Sequence, residues 1–362
     1  MRIIILIVGA IVYYAILVIL AKMFIKAFQF KRTLPWMIGI LAVGIIPLFC
    51  VLDYSFRGIH FFEMFSIVGY LLLGFFIYYI LCLAIILIAK SIYRCFRKQV
   101  NGSFNKASIV LASIASVIIC IIGIISAQIP EYTYRKIDIG AKEHLKLVIV
   151  SDIHYGATGS LLSLSKMVDH VNQTNADVVL LTGDVFDNKV KNLDQEYFRD
   201  SMNTLQSKYG VYAITGNHEF MQNNLEEIQN FYTGTQVHLL LDEAVTINNI
   251  QIIGRQDYRG GRKKLEEIST EKLPTIVLDH QPQFYRDAEE FGADLQISGH
   301  THNGQIFPAN VLIALLNLMA FQSPSNGIHT YDKFTLAITR GYGTWGFPMR
   351  LTGPSQILIL EV

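Results

Sequence analysis

Short polar clusters recur through the second half of the sequence, and their residue types are those that bind divalent metal ions. Carboxylates, imidazoles and one amide oxygen, without a thiolate, form a mixed ligand set that suits Mn, Fe or Zn. Two such ions about 4 Å apart hold a bridging hydroxide, neutralise a phosphate and stabilise the attacking and leaving oxygens of a displacement. The clusters therefore predict a dinuclear metal site that hydrolyses phosphate esters. They are Asp152-Ile153-His154, Gly183-Asp184 with Asp187, Gly216-Asn217-His218-Glu219, His280 and Gly299-His300-Thr301-His302.

Each cluster taken alone has an ordinary structural explanation. Asp-x-His is typical of a solvated turn, Gly-Asp-x-x-Asp of a strand-to-loop turn, and Asn217 could cap a helix. A lone His280 is more often structural than a ligand. The combination favours the metal site, because five of the chain's ten histidines fall inside the clusters. The remaining histidines are interpreted as structural or solvated: His60, His144, His170, His238 and His329.

Each cluster follows a predicted strand. Open α/β sheets bind ligands at the carboxyl ends of their strands, so the clusters are expected to lie together there. Asp184 stands at the tip of one such strand and is expected to bridge the two ions. Strand and helix patterns alternate and hairpins are interspersed, which indicates a layered α/β domain with a mixed sheet. Predicted strands are Leu145–Val150, Asp177–Leu181, Val211–Ile214, Val237–Leu241, Ala244–Ile247, Ile250–Ile253, Thr275–Leu278, Asp294–Ile297, Thr335–Ile338 and Gln356–Leu360. Predicted helices are Leu161–Gln173, Gln195–Ser207, Leu225–Tyr232 and Gln283–Phe291.

The first half is too apolar for a soluble protein. The whole chain is 52% hydrophobic and 16% charged, against about 25% charged in ordinary domains. Four apolar runs, each near the roughly 20 residues that cross a bilayer, predict a transmembrane region over residues 1–130. Three spans with an interfacial helix are the alternative. The helices are expected at about 3–25, 34–51, 65–89 and 107–127, with a linker or edge strand at 131–143 and the α/β domain at 144–362.

Basic residues near the apolar runs predict the orientation. The first connection carries Lys22, Lys26, Lys31 and Arg32, and the third carries Lys90, Arg94, Arg97, Lys98 and Lys106. With both in the cytoplasm, the protein is a multi-pass protein of the cell membrane with an extracytoplasmic catalytic domain. The runs show no intramembrane charge pair, so an anchor is favoured over a transporter. The formal net charge of +1 indicates no nucleic-acid partner.

In this order the clusters resemble the pattern of the calcineurin-like metallophosphoesterases, over about residues 144–362. The resemblance implies a four-layer α/β/β/α sandwich. It also implies that Asp152, His154 and His302 hold one ion, that Asn217, His280 and His300 hold the other, and that Asp184 bridges. His218 would face the phosphate, and Asp187 would orient His218. Two stretches resemble a membrane-associated bacterial branch: His300–Gln305, and Gly341–Thr344 followed by Met349-Arg350-Leu351.

The residue after Asp187 departs from the family pattern. Many relatives have arginine there, and this chain has Asn188. The departure argues against the protein Ser/Thr phosphatase branch of the family. It also leaves open which other residue contacts the phosphate. Arg350 is the candidate, because a planar bidentate donor suits a phosphate; a surface arginine paired with a carboxylate is the alternative.

An apolar stretch, Val311–Phe321, is too short to span a bilayer. It is interpreted either as a core helix or as an exposed lip that dips into lipid beside the site. The sequence as a whole predicts a phosphodiesterase or lipid-headgroup phosphoesterase at the membrane. A phosphomonoesterase acting on nucleotides or proteins, a non-catalytic interaction module of the same fold, and a transporter or sensor regulated by the domain are the alternatives.

Overall fold

The computed structural model describes residues 2–50, 59–97, 106–157, 163–320 and 324–362. These residues form two units. One comprises residues 1–123 with 346–348, and the other comprises residues 124–345 with 349–362.

Apolar helices build the first unit: α1 (Arg2–Phe28), α2 (Thr33–Val43), α3 (His60–Arg97) and most of α4 (Lys106–Gln128). Three segments, Ile7–Phe28, Phe61–Phe96 and Lys106–Gln128, are long and apolar enough to cross a membrane. Many of their large apolar side chains point outward, as at Ile11 (63% exposed) and Ile85 (65%). Such a surface suits hydrocarbon, where helices satisfy their own backbone polar groups.

The second apolar run is shorter in the structure than the sequence predicts. Helix α2 has 11 residues and is followed by a 3-10 turn at Ile46–Leu48. At 1.5 Å per residue it covers about 16 Å, roughly half of the hydrocarbon core. The end of the predicted run, at residue 51, lies outside the described residues. Four spanning helices are therefore not confirmed, although the apolar helical character of the region is.

The second unit contains two mixed six-stranded sheets. Its strands among the described residues are β1 (Glu131–Lys136), β2 (Lys146–Val150), β3 (Val178–Thr182), β4 (Val211–Ile214), β5 (Val237–Leu239), β6 (Glu243–Ile247), β7 (Ile250–Gly254), β8 (Thr275–Leu278), β9 (Leu295–Ser298), β10 (Gly327–Tyr331), β11 (Phe334–Ile338) and β12 (Gln356–Glu361). The sheet orders are β1-β12-β2-β3-β4-β5 and β10-β11-β9-β8-β7-β6. The prediction of an α/β domain with mixed pairing is confirmed.

Parallel pairing brings the functional strand ends together. β2, β3 and β4 are parallel in the first sheet, and β7, β8 and β9 are parallel in the second. Each group therefore presents its carboxyl ends at one edge of its sheet. The helices between the strands are α5 (Leu164–Asn172), α6 (Gln195–Asn203), α7 (Glu219–Gln222), α8 (Leu225–Tyr232), α9 (Leu265–Ile268), α10 (Tyr285–Phe291) and α11 (Ala309–Ala320).

Alternating side chains divide the core of the second unit into clusters, because successive strand residues point to opposite faces. Leu147 and Leu180 of the first sheet pack in one buried cluster with Ile276 of the second sheet. On the other face, Val148 and Val179 pack in a second cluster that includes helix residues. Both faces of the central strands are thus buried, which gives the strand ends a rigid base.

Several elements differ from their sequence-based bounds. Helix α5 begins at Leu164 after the Ser163 cap, and part of its predicted first turn lies outside the described residues. Strand β10 and the four-residue helices α7 and α9 were not predicted, because elements this short carry little periodicity. The stretch 131–143 contains the edge strand β1. The proposed domain boundaries stay predictions.

Candidate metal centre

The loops after β2 and β3 are tied together by their backbones. Asp152 N donates to the carbonyl of Gly183, and His154 N donates to the carbonyl of Asp184, both at 3.0 Å. The two loops therefore place the Asp152, His154 and Asp184 side chains beside one another at the sheet edge.

Five of the predicted metal ligands have left-handed backbone conformations. Their φ angles lie between 48° and 72°, and they are Asp152, His154, Asp184, His300 and His302. This region costs a residue with a side chain roughly 1–2 kcal/mol. Such strain persists only where the surroundings determine the conformation, and it clusters at functional sites.

One group of candidate ligands joins strand ends of both sheets. Ligand atoms of Asp152, His154 and His302 all lie within 4.8 Å of one another, and all three residues are buried. The Nε2 atoms of His154 and His302 are 2.9 Å apart, and His302 Nε2 is 3.4 Å from Asp152 Oδ1. The donors thus converge on one small volume.

A second group contains Asp184, His280 and the exposed His300, again within 4.8 Å. His280 Nδ1 lies 2.8 Å from the carbonyl of Thr182 and donates to it. This bond leaves Nε2, which lies 3.0 Å from Asp184 Oδ2, as the atom available to a metal. A backbone bond of this kind fixes the tautomer of many metal-binding histidines.

Asn217 is the predicted amide ligand. Its side chain is 3% exposed, and its Oδ1 has no hydrogen-bond partner among the described residues. An unpaired buried amide oxygen costs about 1–3 kcal/mol. A bound cation would satisfy it, so this orphaned atom fits a metal site.

His218 and Asp187 form a pair beside these groups. His218 Nδ1 lies 3.0 Å from Asp187 Oδ1, and His218 Nε2 lies 4.0 Å from Asp184 Oδ2. Burial alone would lower the pKa of His218, but Asp184 and Asp187 outweigh it and raise that pKa to about 9. Asp187 thus lies within hydrogen-bond distance of His218, and its orienting role stays a prediction.

Electrostatics favours ligand-competent protonation states at two of the predicted positions. Burial opposes ionisation of Asp184, but His280 and His218 hold its pKa well below the usual range. Burial, His154 and Arg350 together lower the pKa of His302 well below the value of a free histidine. A carboxylate and a neutral imidazole are the forms that bind metals.

Arg350 is buried rather than on the surface, with 0% exposure. Its Nη2 donates to the carbonyls of Arg340 (2.7 Å) and Gly343 (2.8 Å) and lies 3.1 Å from His302 Nδ1. Burial lowers the pKa of Arg350 to about 10. The guanidinium therefore lies behind a candidate ligand and holds the loop beside it.

Glu219 has a positioning role that sequence reasoning missed. Its Oε1 accepts from the N–H groups of Val185 (2.6 Å) and Phe186 (3.3 Å), and its Oε2 accepts from Gly216 N (2.9 Å). Burial and nearby Asp184 raise the pKa of Glu219 to about 8. The side chain joins the loops after β3 and β4. Its place in the Gly-Asn-His-Glu cluster was the available signal.

Glycine is required at position 216 because the Asp184 side chain lies very close to the backbone there. A Cβ at this position would lie 2.2 Å from Asp184 Oδ1, well inside van der Waals contact. The absence of a side chain lets Asp184 accept a 2.8 Å hydrogen bond from His218 N. The glycine thus keeps the bridging candidate in place.

Comparisons with known proteins agree with this geometry. Residues 145–304 match the model of the calcineurin-like phosphoesterase family. An uncharacterized metallophosphoesterase of Helicobacter pylori is 31% identical over 230 residues, which cover 61% of this chain and 60% of that protein. One from Aquifex aeolicus is 27% identical over 245 residues, 65% of this chain and 91% of that one.

A further relative reaches beyond the second unit. A Bos taurus transmembrane protein with a metallophosphoesterase domain is 28% identical over 336 residues, 82% of this chain and 74% of that protein. The likeness therefore includes apolar helices. The chain spans about 60% of the length of the first curated relatives that it matches.

Replacing Glu219 tests the link between the two loops. We expect Glu219→Ala to lower the free energy of unfolding by several kcal/mol, since each of three buried N–H groups left unpaired costs about 1–3 kcal/mol. Bound Mn²⁺, measured by elemental analysis, should fall with it, because the loops of Asp184 and Asn217 lose their common anchor. Glu226→Gln, at an exposed helix position, is the control. Unchanged urea unfolding of Glu219→Ala in EDTA would contradict the assignment.

Proposed function

Because residues 145–304 match the model of the calcineurin-like phosphoesterase family, we propose that this chain belongs to that family and hydrolyses phosphate esters with two divalent metal ions. The observation that carries the proposal is the pair of ligand groups, each within 4.8 Å, beside the His218–Asp187 pair. Mn, Fe and Zn all suit these nitrogen and oxygen donors.

Each ion would have its own ligands. Asp152, His154 and His302 would hold the first, Asn217, His280 and His300 would hold the second, and Asp184 would be shared by both. When bound, the two ions supply Lewis acidity and an activated water. The protein contributes a fixed arrangement of donors on the ends of strands from both sheets.

His218 is proposed as the acid. Asp187 holds its Nδ1 at 3.0 Å, so Nε2 is the atom that can face a substrate. With its pKa raised to about 9 by the surrounding carboxylates, which outweigh burial, the imidazole carries a proton at neutral pH. It can give that proton to the leaving-group oxygen.

Arg350 is proposed as a phosphate contact through Nη1. This nitrogen is buried and has no hydrogen-bond partner among the described residues. The bonds of Nη2 support a second, positioning role, because they hold the loop at Gly343 beside His302. Both roles place positive charge at the site.

We also infer the finer architecture. The three buried clusters of the second unit support a four-layer α/β/β/α sandwich. Four membrane crossings would place both basic connections on one side, whereas three crossings would separate them, so the positive-inside rule favours four.

The substrate is proposed to be a phosphodiester or a lipid-linked phosphate. Helix α11 follows the His302–Gly304 turn closely and exposes Val311 (44%), Leu312 (59%) and Leu315 (52%). These positions share one helix face, so the face presents an apolar surface near the site. This exposure favours the interpretation of the stretch as an apolar lip that dips into lipid over its interpretation as a core helix. Membrane lipid is the partner that such a surface would contact.

Two other functions remain alternatives. A phosphomonoesterase acting on nucleotides or proteins would use the same centre. A non-catalytic interaction module would be favoured by loss of a ligand, but every predicted ligand position is filled in this sequence.

The first test is hydrolysis by the full chain in detergent. We expect bis(p-nitrophenyl) phosphate to be cleaved with Mn²⁺ and not with EDTA, and faster than p-nitrophenyl phosphate. Asp184→Asn should reduce the rate more than a hundredfold, since even partners of metal ligands cost about 10–100-fold. Asp200→Asn, on an exposed helix face, should match the native rate. A folded, metal-loaded protein that cleaves neither ester would support the interaction module.

The lip is tested by making it polar. Leu312→Gln should slow hydrolysis of a phospholipid in anionic vesicles by about tenfold or more, because it removes roughly 1.5–3 kcal/mol of apolar burial. Hydrolysis of the soluble diester should not change. Leu312→Met keeps the apolar surface and serves as the control. An equal loss on both substrates would show that Leu312 acts in the fold instead.

Reporter fusions test the orientation. With an extracytoplasmic domain, alkaline phosphatase joined after Val362 should be active in intact cells, and green fluorescent protein at the same place should stay dark. The reverse pattern would put the domain in the cytoplasm.

A further inference from the structure

Trp345 is a large apolar side chain left in solvent at the edge of the candidate site. It is 51% exposed. Its ring centroid lies 5.5 Å from that of His218, at an interplanar angle of 69°. Edge-to-face packing of this kind is attractive, so the indole holds a defined orientation beside the proposed acid while one side remains open.

One buried side chain fixes the backbone of Trp345. Gln305, which is 6% exposed, accepts from Trp345 N at 3.0 Å and donates to Trp345 O at 3.1 Å. Gln305 lies three residues after His302. The same segment therefore carries a candidate metal ligand and the anchor of the indole.

The loop that precedes Trp345 is locked to the first group of ligands. Tyr342 N donates to the carbonyl of Ser151, and Gly343 N donates to that of Asp152, both at 2.8 Å. A Cβ at Gly343 would lie 2.2 Å from the carbonyl oxygen of Ile153, which shows how closely the backbones approach. Trp345 is thus held beside the site by two sets of contacts: those of Gln305 and those of the loop that precedes it.

We propose that Trp345 is a specificity-determining residue that packs against the organic group of the leaving alcohol. The inference rests on the proposed function. If His218 protonates the leaving oxygen, the group attached to that oxygen emerges beside the indole. A rigid, half-exposed tryptophan offers a large apolar contact that loses little conformational entropy on binding. The expected partner is therefore an apolar or aromatic group next to the phosphate.

Two sources could supply that group: the alkyl part of a lipid or a planar ring such as a nucleobase. The chemistry they share is an apolar surface one or two bonds from the scissile oxygen. Phenylphosphonate and octylphosphonate represent the two sources, and methylphosphonate retains the charged head alone.

Binding can be measured without turnover, because the chain has two tryptophans, Trp36 and Trp345. In a Trp36→Phe background with Mn²⁺, phenylphosphonate or octylphosphonate should shift Trp345 emission to the blue. We expect at least one of them to bind roughly tenfold more tightly than methylphosphonate. The tighter of the two identifies the source. Equal affinity for all three compounds would overturn the proposal.

Calorimetry on side-chain variants gives the second measurement. Trp345→Ala should bind all three phosphonates with the affinity of methylphosphonate, while Trp345→Phe should keep most of the preference. Tyr134→Ala removes an aromatic ring that is 59% exposed on β1 and should behave as the native protein. A preference that survives in Trp345→Ala would contradict the assignment.

Different results would contradict the role of Trp345 and the proposed enzyme function. Selective phosphonate binding without hydrolysis of any ester would leave the Trp345 assignment standing and remove the enzyme function. Methyl p-nitrophenyl phosphate releases an aromatic alcohol and dimethyl phosphate releases methanol. The same ratio of their hydrolysis rates in native protein and Trp345→Ala would point against a contact with the leaving group in turnover.

Discussion

The structure of the second unit around the candidate site depends on the burial of four carboxyl groups. Asp152, Asp184, Asp187 and Glu219 are each at most 1% exposed, and burying a polar or charged group is costly unless it is hydrogen-bonded or paired. The surrounding loops supply that compensation through backbone N–H groups: His300 N on Asp152, His218 N on Asp184 and Gly216 N on Glu219. Imidazoles supply the remaining donors, and bound cations would add the largest compensating charge.

The strained backbone follows from the same constraint. To aim short carboxylates and imidazoles at one volume, the chain adopts left-handed conformations at Asp152, Asp184 and His302 among others. Strain of this kind is retained only where neighbouring bonds leave no alternative. The backbone ties between the β2 and β3 loops and the side chain of Glu219 provide those bonds, so site and scaffold are stabilised together.

The candidate ligands could be found in the sequence because they stand directly after strands that are easy to recognise. Val178–Leu181 and Ile276–Leu278 are continuous apolar runs, and both lie in fully buried strands of the structure. Contacts that join distant segments could not be predicted. Gln305 and Trp345 are 40 residues apart and Glu219 and Val185 are 34 apart, and no local pattern relates them. The shortness of α2 was missed because apolar composition does not show where a helix ends.

The position of β12 has a consequence for how the protein is made. This strand, Gln356–Glu361, lies between β1 and β2, parallel to one and antiparallel to the other. During synthesis the first sheet therefore lacks an interior strand until these residues leave the ribosome, after all the candidate ligands have emerged. Pairings between segments so far apart form late and slowly. The candidate ligands are therefore synthesised before the strand that completes the sheet on which several of them stand.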